Sequence, residues 1–243
     1  MMIFYGFWMI PFSNPARVSF DPSVSYDGFS LYSAYQRSFN LIDQGFLGFG
    51  YKGFSLYAEG SFINLPSENE FSGTYGEFSA NFGYSFSPVE GMRLGASLSY
   101  YQINNPRPDV GNRSSFGLNL GASFKVYEFW KVGIFAKNLN SPEIGGFPLQ
   151  TFVGSYISFS PREDITTALG VLKDQYGPVN YGIGGEWKIA EILKILASVR
   201  YDGRVPSYFA GLSLNIKNFQ FINLFQIHPD LPISYHVGLS WAK

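Results

Sequence analysis

Cysteine is absent from the 243 residues, which excludes disulfides, thiol catalysis and thiolate metal sites. That absence also fits passage through an oxidising compartment, as weak evidence. Charged residues are scarce at 14%, against about 25% in an average soluble domain. The net charge of -1 and a pI near 6.1 give no electrostatic footing for nucleic acid. No run of about 18 uncharged apolar residues exists, so no helix of this sequence is apolar and long enough to cross a bilayer. A mean hydropathy of 0.00 is likewise too low for a bundle of such helices.

Aromatic residues, by contrast, make up 19% of the chain, and they fall into a two-residue rhythm. In the segment 116–126, Phe116, Leu118, Leu120, Ala122, Phe124 and Val126 alternate with Gly117, Asn119, Gly121, Ser123 and Lys125. Successive side chains of a strand point to opposite faces, so this segment has one apolar and one polar face. Phe78 to Phe86 opposes Glu77 to Ser85 in the same way. Met92, Leu94, Ala96, Leu98 and Tyr100 oppose Arg93, Gly95, Ser97, Ser99 and Tyr101. Val179, Tyr181, Ile183, Trp187 and Ile189 oppose Asn180, Gly182, Gly184, Glu186 and Lys188. No charge falls on the apolar face of these segments. A charge at the bilayer midplane costs a barrel about 2–4 kcal/mol, which accounts for the exclusion.

The rhythm predicts an all-β fold: a transmembrane antiparallel β-barrel of about fourteen strands. The strands are expected over Tyr26–Gln36, Leu41–Tyr51, Phe54–Asn64, Thr74–Phe86, Met92–Ile103, Ser115–Val126 and Trp130–Asn138. The second half follows as Thr151–Phe159, Ile165–Lys173, Val179–Ile189, Leu193–Tyr201, Ser207–Ile216, Phe219–Ile227 and Ser234–Ala242. The ninth and thirteenth are the least regular, because Ile222 and Leu224 break the phase set by Phe219 and Phe221; twelve strands is the alternative. Alternate connections are tight, as at Lys52-Gly53 and Lys217-Asn218. Longer ones, 65–73, 104–114, 139–150 and 228–233, fall between them. Short turns belong on the periplasmic side and longer loops outside, which puts both termini in the periplasm of a bacterial outer membrane.

Rings sort by depth in support of this reading. Trp130, Trp187 and Trp241 point outward near the periplasmic rim, and Tyr100, Tyr201 and Tyr208 near the other, as membrane-interface girdles. A soluble β-sandwich alternates in the same manner, but has less need of Trp and Tyr at strand ends or of so few charges. The closing segment Tyr235–Trp241 resembles the C-terminal signal read by barrel-assembly machinery, with Ala242 and Lys243 as extra residues after the aromatic. The implied partners are outer-membrane lipid and that machinery, and no nucleic acid.

Residues 1–13 form an apolar segment without a basic start, and 14–243 a single barrel domain. The segment reads either as a truncated signal peptide or as a retained stretch tucked into the barrel.

Chemistry is sparse. Nucleophilic catalysis would need Ser and His within hydrogen-bond reach, yet Ser240 lies four residues from His236, roughly 13 Å at strand rise. His228-Pro229-Asp230 and the loop at Asp109 offer too few ligands for a metal, and Gly182–Gly185 lacks the context of a dinucleotide site. No catalytic residue, metal site or cofactor is assigned. The inward face carries the candidate lumen-lining residues Glu59, Glu77, Arg93, Lys125, Lys137, Glu186, Arg200 and His236, together with Lys131, Lys188 and Asp202. Their mixed signs suggest bracing ion pairs rather than a charge-selective channel. Inward glycines such as Gly48, Gly117, Gly211 and Gly238 would leave room for a solute path or a plug.

The segment Ser13-Asn14-Pro15-Ala16-Arg17 resembles the Asn-Pro-Ala element that follows the signal peptide in FadL-type and PorV/PorQ-type outer-membrane proteins. Tyr235–Trp241 is similar to the closing strand of the PorV/PorQ group. The resemblance implies a fourteen-stranded barrel with Asn14, Pro15 and Ala16 as a plug inside it. It implies either of two non-enzymatic roles. One is a PorV/PorQ-like barrel that anchors or hands over a protein partner at the membrane, as in secretion. The other is a FadL-like passive channel for small hydrophobic molecules. The loops here are shorter than those families usually carry.

Overall fold

Fourteen strands close on themselves in the computed structural model, which describes residues 28–65, 73–105 and 111–243. The first seven are β1 (Phe29–Ser38), β2 (Ile42–Tyr51), β3 (Phe54–Leu65), β4 (Gly73–Phe86), β5 (Met92–Asn104), β6 (Arg113–Tyr127) and β7 (Trp130–Lys137). A small ribbon follows, β8 (Glu143–Ile144) and β9 (Phe147–Pro148). The wall resumes with β10 (Phe152–Arg162), β11 (Ile165–Asp174), β12 (Val179–Ala190), β13 (Leu193–Tyr201), β14 (Pro206–Ile216), β15 (Phe219–His228) and β16 (Leu231–Ala242). Each wall strand pairs antiparallel with its sequence neighbours, and β16 pairs with β1 to complete the ring. Closure leaves no unpaired edge, which is what lets strands sit in hydrocarbon.

The side-chain pattern dictates this closure. On β2, Ile42, Gln44, Phe46, Gly48 and Gly50 are buried while Gly45, Leu47, Phe49 and Tyr51 are exposed. Around the barrel the exposed set is dominated by Leu, Ile, Val and aromatic side chains. An apolar surface this extensive is at home against lipid and unfavourable in water. Two-residue turns close one end at Lys52-Gly53 between β2 and β3 and at Lys217-Asn218 between β14 and β15, and the opposite end has both short connections, at 39–41 and 229–230, and longer ones such as 138–151. Lys52 and Gly53 both take positive φ, 45° and 87°, the backbone that matches the twist of a two-residue hairpin.

Several expectations change. The connection expected at 228–233 is a tight turn, because β15 runs on to His228, which pairs with Leu231. The phase of β15 is not broken. Phe219, Phe221, Phe225 and Ile227 stay exposed, and Ile222 and Leu224 are inward and buried. The irregularity in the sequence arises because the interior is apolar here and Asn223 takes an outward position between Leu212 and Val237. Space beside several inward glycines is also already occupied. Side chains of Tyr32 and Tyr57 lie at Gly48, Tyr101 and Asn138 at Gly117, Leu224 at Gly211, and Tyr32 at Gly238. Aromatic and polar groups of the neighbouring strands fill what the missing Cβ atoms vacate.

Candidate functional site

Strands β3 to β7 carry small polar residues on their inward face, and these join into one hydrogen-bonded belt. The Ser79 hydroxyl donates to Glu59 Oε1 at 3.0 Å and the Tyr57 hydroxyl to Glu59 Oε2 at 3.2 Å. Ser99 donates to Asn81. Asn119 Nδ2 donates to Ser97 and Ser99 at 2.9 and 2.7 Å, and its Oδ1 accepts from the Asn138 amide at 3.0 Å. Asn138 in turn accepts from the Tyr101 hydroxyl at 2.9 Å and donates to the Gln150 carbonyl at 2.9 Å. Lys137 sits in this belt, fully buried, with its ammonium 5.8 Å from the centre of the Tyr101 ring. Such groups are tolerated inside a wall because most of them find partners in one another, although Asn81 Nδ2 has no hydrogen-bond partner among the described residues.

The rest of the interior is more apolar than the sequence rhythm suggests. Leu196, Phe209, Ile222 and Leu224 form a cluster on the inward face of β13, β14 and β15. A second cluster joins Tyr101, Phe135, Phe152, Tyr156 and Leu172 with Ile144 and Leu149. The last two come from the connection 138–151, whose ribbon folds its apolar side onto the inner wall. Tyr32, Ala34, Phe46 and Tyr57 make a third cluster at the β16–β1–β2–β3 seam. Sequence reasoning missed these patches because it treated the inward face as uniformly polar. Ile222 and Leu224 were the available signal.

The sequence-selected residues divide by depth. Glu59, Glu77, Lys137, Arg200, Glu186 and His236 are buried within the wall. Arg200 donates to Asn180 Oδ1 at 2.9 Å, and Lys194 pairs with Glu186 at 3.4 Å. Tyr32 Oη and His236 Nε2 share a hydrogen bond of 3.0 Å, whereas Ser240 donates to Gln220 at 3.3 Å, so His236 and Ser240 make no catalytic pair. His228 Nδ1 accepts from the Asp230 amide at 3.1 Å. Arg93 is half-buried and Lys125 exposed at the end of the barrel that carries the tight turns. Asp202 lies in the connection after β13, not on the inward wall, and accepts from the amides of Arg204 and Val205 at 3.0 and 3.2 Å. Burial opposes its ionisation, but those two amides and the Arg200 charge outweigh it and hold the carboxyl below its ordinary range.

Among the girdle residues, Trp130 lies tilted against Phe159 with ring centres 4.4 Å apart, and Trp241 meets Phe29 edge-on at 5.2 Å. Trp187 is half-buried near the same end. Tyr201 and Tyr208 are exposed and Tyr100 half-buried toward the opposite one. Asn14, Pro15 and Ala16 lie outside the described residues.

No protein-family model and no curated protein matches the chain. Solved structures do. The Ralstonia pickettii toluene transporter TbuX is similar with a TM-score of 0.70 at 10% identity, over 94% of this chain and 94% of that one. The CymD monoaromatic hydrocarbon channel is similar at TM-score 0.68 and 11% identity, over 95% and 93%. The KdgM porin is similar at TM-score 0.53 and 10% identity, over 88% and 99%. The architecture is thus that of outer-membrane channels and porins.

Proposed function

We propose that this chain is a non-enzymatic passive channel of a bacterial outer membrane for small molecules with an apolar body. The observation that supports this most is the closed fourteen-strand barrel, whose similarity to two channel structures extends over 94% and 95% of this chain. Two of the similar structures are a monoaromatic hydrocarbon channel and a toluene transporter. That favours transport over the PorV/PorQ-like anchoring role, for which no comparable observation speaks.

Planar-bilayer recordings of the full-length protein test the reading. Steady conductance steps are expected, and phenol added to one side should reduce them. Silence from verifiably inserted protein, with a second protein co-purifying, would reject transport in favour of anchoring.

A further inference from the structure

Residues 138–151 join β7 to β10, although the two strands already lie side by side. Lys137, the last residue of β7, is the direct partner of Phe152, the first of β10. A two-residue turn suffices for such a pair, as Lys52-Gly53 does between the partners Tyr51 and Phe54. Most of the connection is therefore surplus to closing the barrel. Its base is tied down all the same: Asn138 Nδ2 donates to the Gln150 carbonyl at 2.9 Å, and the Thr151 hydroxyl to the Asn138 carbonyl at 3.0 Å. Leu139 and Asn140 serve the wall where β6 overruns β7. The Leu139 amide donates to the Leu118 carbonyl and Asn140 Nδ2 to the Phe116 carbonyl, both at 2.9 Å.

The ribbon 143–148 lies beyond these anchors. At its foot the Leu149 amide donates to the Pro142 carbonyl at 2.7 Å, and at its tip Gly145 and Gly146 turn with φ of 61° and 82°. Ile144 and Leu149 are buried in the cluster that holds Tyr101 of β5, Phe135 of β7, Phe152 and Tyr156 of β10 and Leu172 of β11. That cluster reaches across five neighbouring strands of the fourteen. Phe147, the cross-strand partner of Ile144, is 75% exposed.

We propose that the ribbon 143–148 is a fixed constriction of the lumen with Phe147 on the solute's path, so that this connection selects solutes by width. The inference rests on the channel reading and deepens it. Eight strands make a barrel that its own side chains fill, and fourteen make a wider one. Selection by size in the wider ring needs an element that folds inward. An apolar ribbon face seated on an aromatic wall holds without a ligand, which makes the constriction permanent rather than a closing lid.

Two variants test it in planar bilayers. Replacing 143–148 by Gly-Gly lets Pro142 and Leu149 close a two-residue turn through the hydrogen bond they already make, and keeps Asn138, Leu139 and Asn140. Its conductance should rise about twofold, since passage follows pore diameter. Neutral ethylene glycol polymers too wide to enter wild type should enter it and lower its current. The second variant, Phe147→Cys, carries the chain's only thiol and leaves its length unchanged. Sulfonatoethyl methanethiosulfonate added during a recording should cut the current in one step, and dithiothreitol should restore it. Unchanged current over a thiol that mass spectrometry shows to be modified would overturn the constriction and leave the channel intact. Wild-type conductance and polymer cut-off in the inserted, shortened chain would do the same. A silent wild type beside a conducting shortened chain keeps the ribbon as the obstruction and rejects the steadily open channel. Silence from both, verifiably inserted, rejects constriction and channel together.

Discussion

The ring of Tyr156 lies on Gly133, its direct partner across β10 and β7, and the ring of Phe135 lies in the same way on Gly154, two rungs further along. Each aromatic covers the backbone that its glycine leaves bare, and the two pairs line the inner wall as one sheet of aromatic surface. A Cβ at position 133 would overlap the Tyr156 ring. Gly133→Ala therefore has to push that ring toward the lumen, at a cost of about 1–3 kcal/mol for overpacking. Urea unfolding followed by tryptophan fluorescence should show the loss. Gly133→Ala in a Tyr156→Leu background should lose much less, because the smaller side chain can move aside.

Asn119 is the hub of the polar belt, fully buried, and it ties three strands at once. Asn119→Ala takes the acceptor from the Asn138 amide and the donor from the Ser97 hydroxyl, while Ser99 loses one partner and keeps Asn81. The expected cost is about 1–3 kcal/mol, the penalty for buried groups left unmade. Because Asn138 also anchors the connection 138–151 through Gln150 and Thr151, proteolysis within 139–148 should speed up in the same variant. A change in stability with no change in that cleavage would separate the belt from the loop.

The strand count and the antiparallel closure were legible because an alternation of period two survives in almost every strand. Phe116 to Val126 alone fixes which residues of β6 face out. The interior was legible only in its polar half. The rule that inward means polar holds for Ser79, Asn81 and Asn119, and fails for Ile222, Leu224 and Phe209, which pack on one another. Periodicity reports which face a residue occupies and says nothing of what meets it there. The ribbon 143–148 was illegible for a related reason: its Ile144 is buried by long-range contact with Tyr101 and Phe135, which no local pattern encodes.

Asp202 gives a pH dependence of known sign. Its carboxyl titrates below the ordinary 3.8, chiefly through the Val205 and Arg204 amides against the opposing effect of burial. A carboxyl with a lowered folded pKa contributes stability that is present above the unfolded value and fades as pH falls through the folded one. Asp202→Asn should therefore melt earlier than wild type near neutrality. The gap should close on acidification below the ordinary carboxylate range. Carbon-detected titration of the Asp202 carboxyl, with a midpoint at or above 3.8, would refute the assignment.

Asn223 sits midway along β15 on the outward face, between Phe221 and Phe225 on its own strand and opposite Leu212 and Val237 on the two neighbouring strands. Lipid tails offer its amide nothing, and no hydrophobic neighbour can replace the water it held in the unfolded chain. An amide moved from water to such a place costs about 1–3 kcal/mol on the scale of protein substitutions. Asn223→Leu, branched at Cγ like the amide it replaces, should recover most of that amount and raise the unfolding midpoint in lipid vesicles. The same substitution in detergent, whose micelle is wetter, should gain less. Were Asn223→Leu destabilising in vesicles, the outward face at this depth would have to be covered by protein rather than lipid. Cross-linking of a cysteine placed at 223 would then report the covering chain.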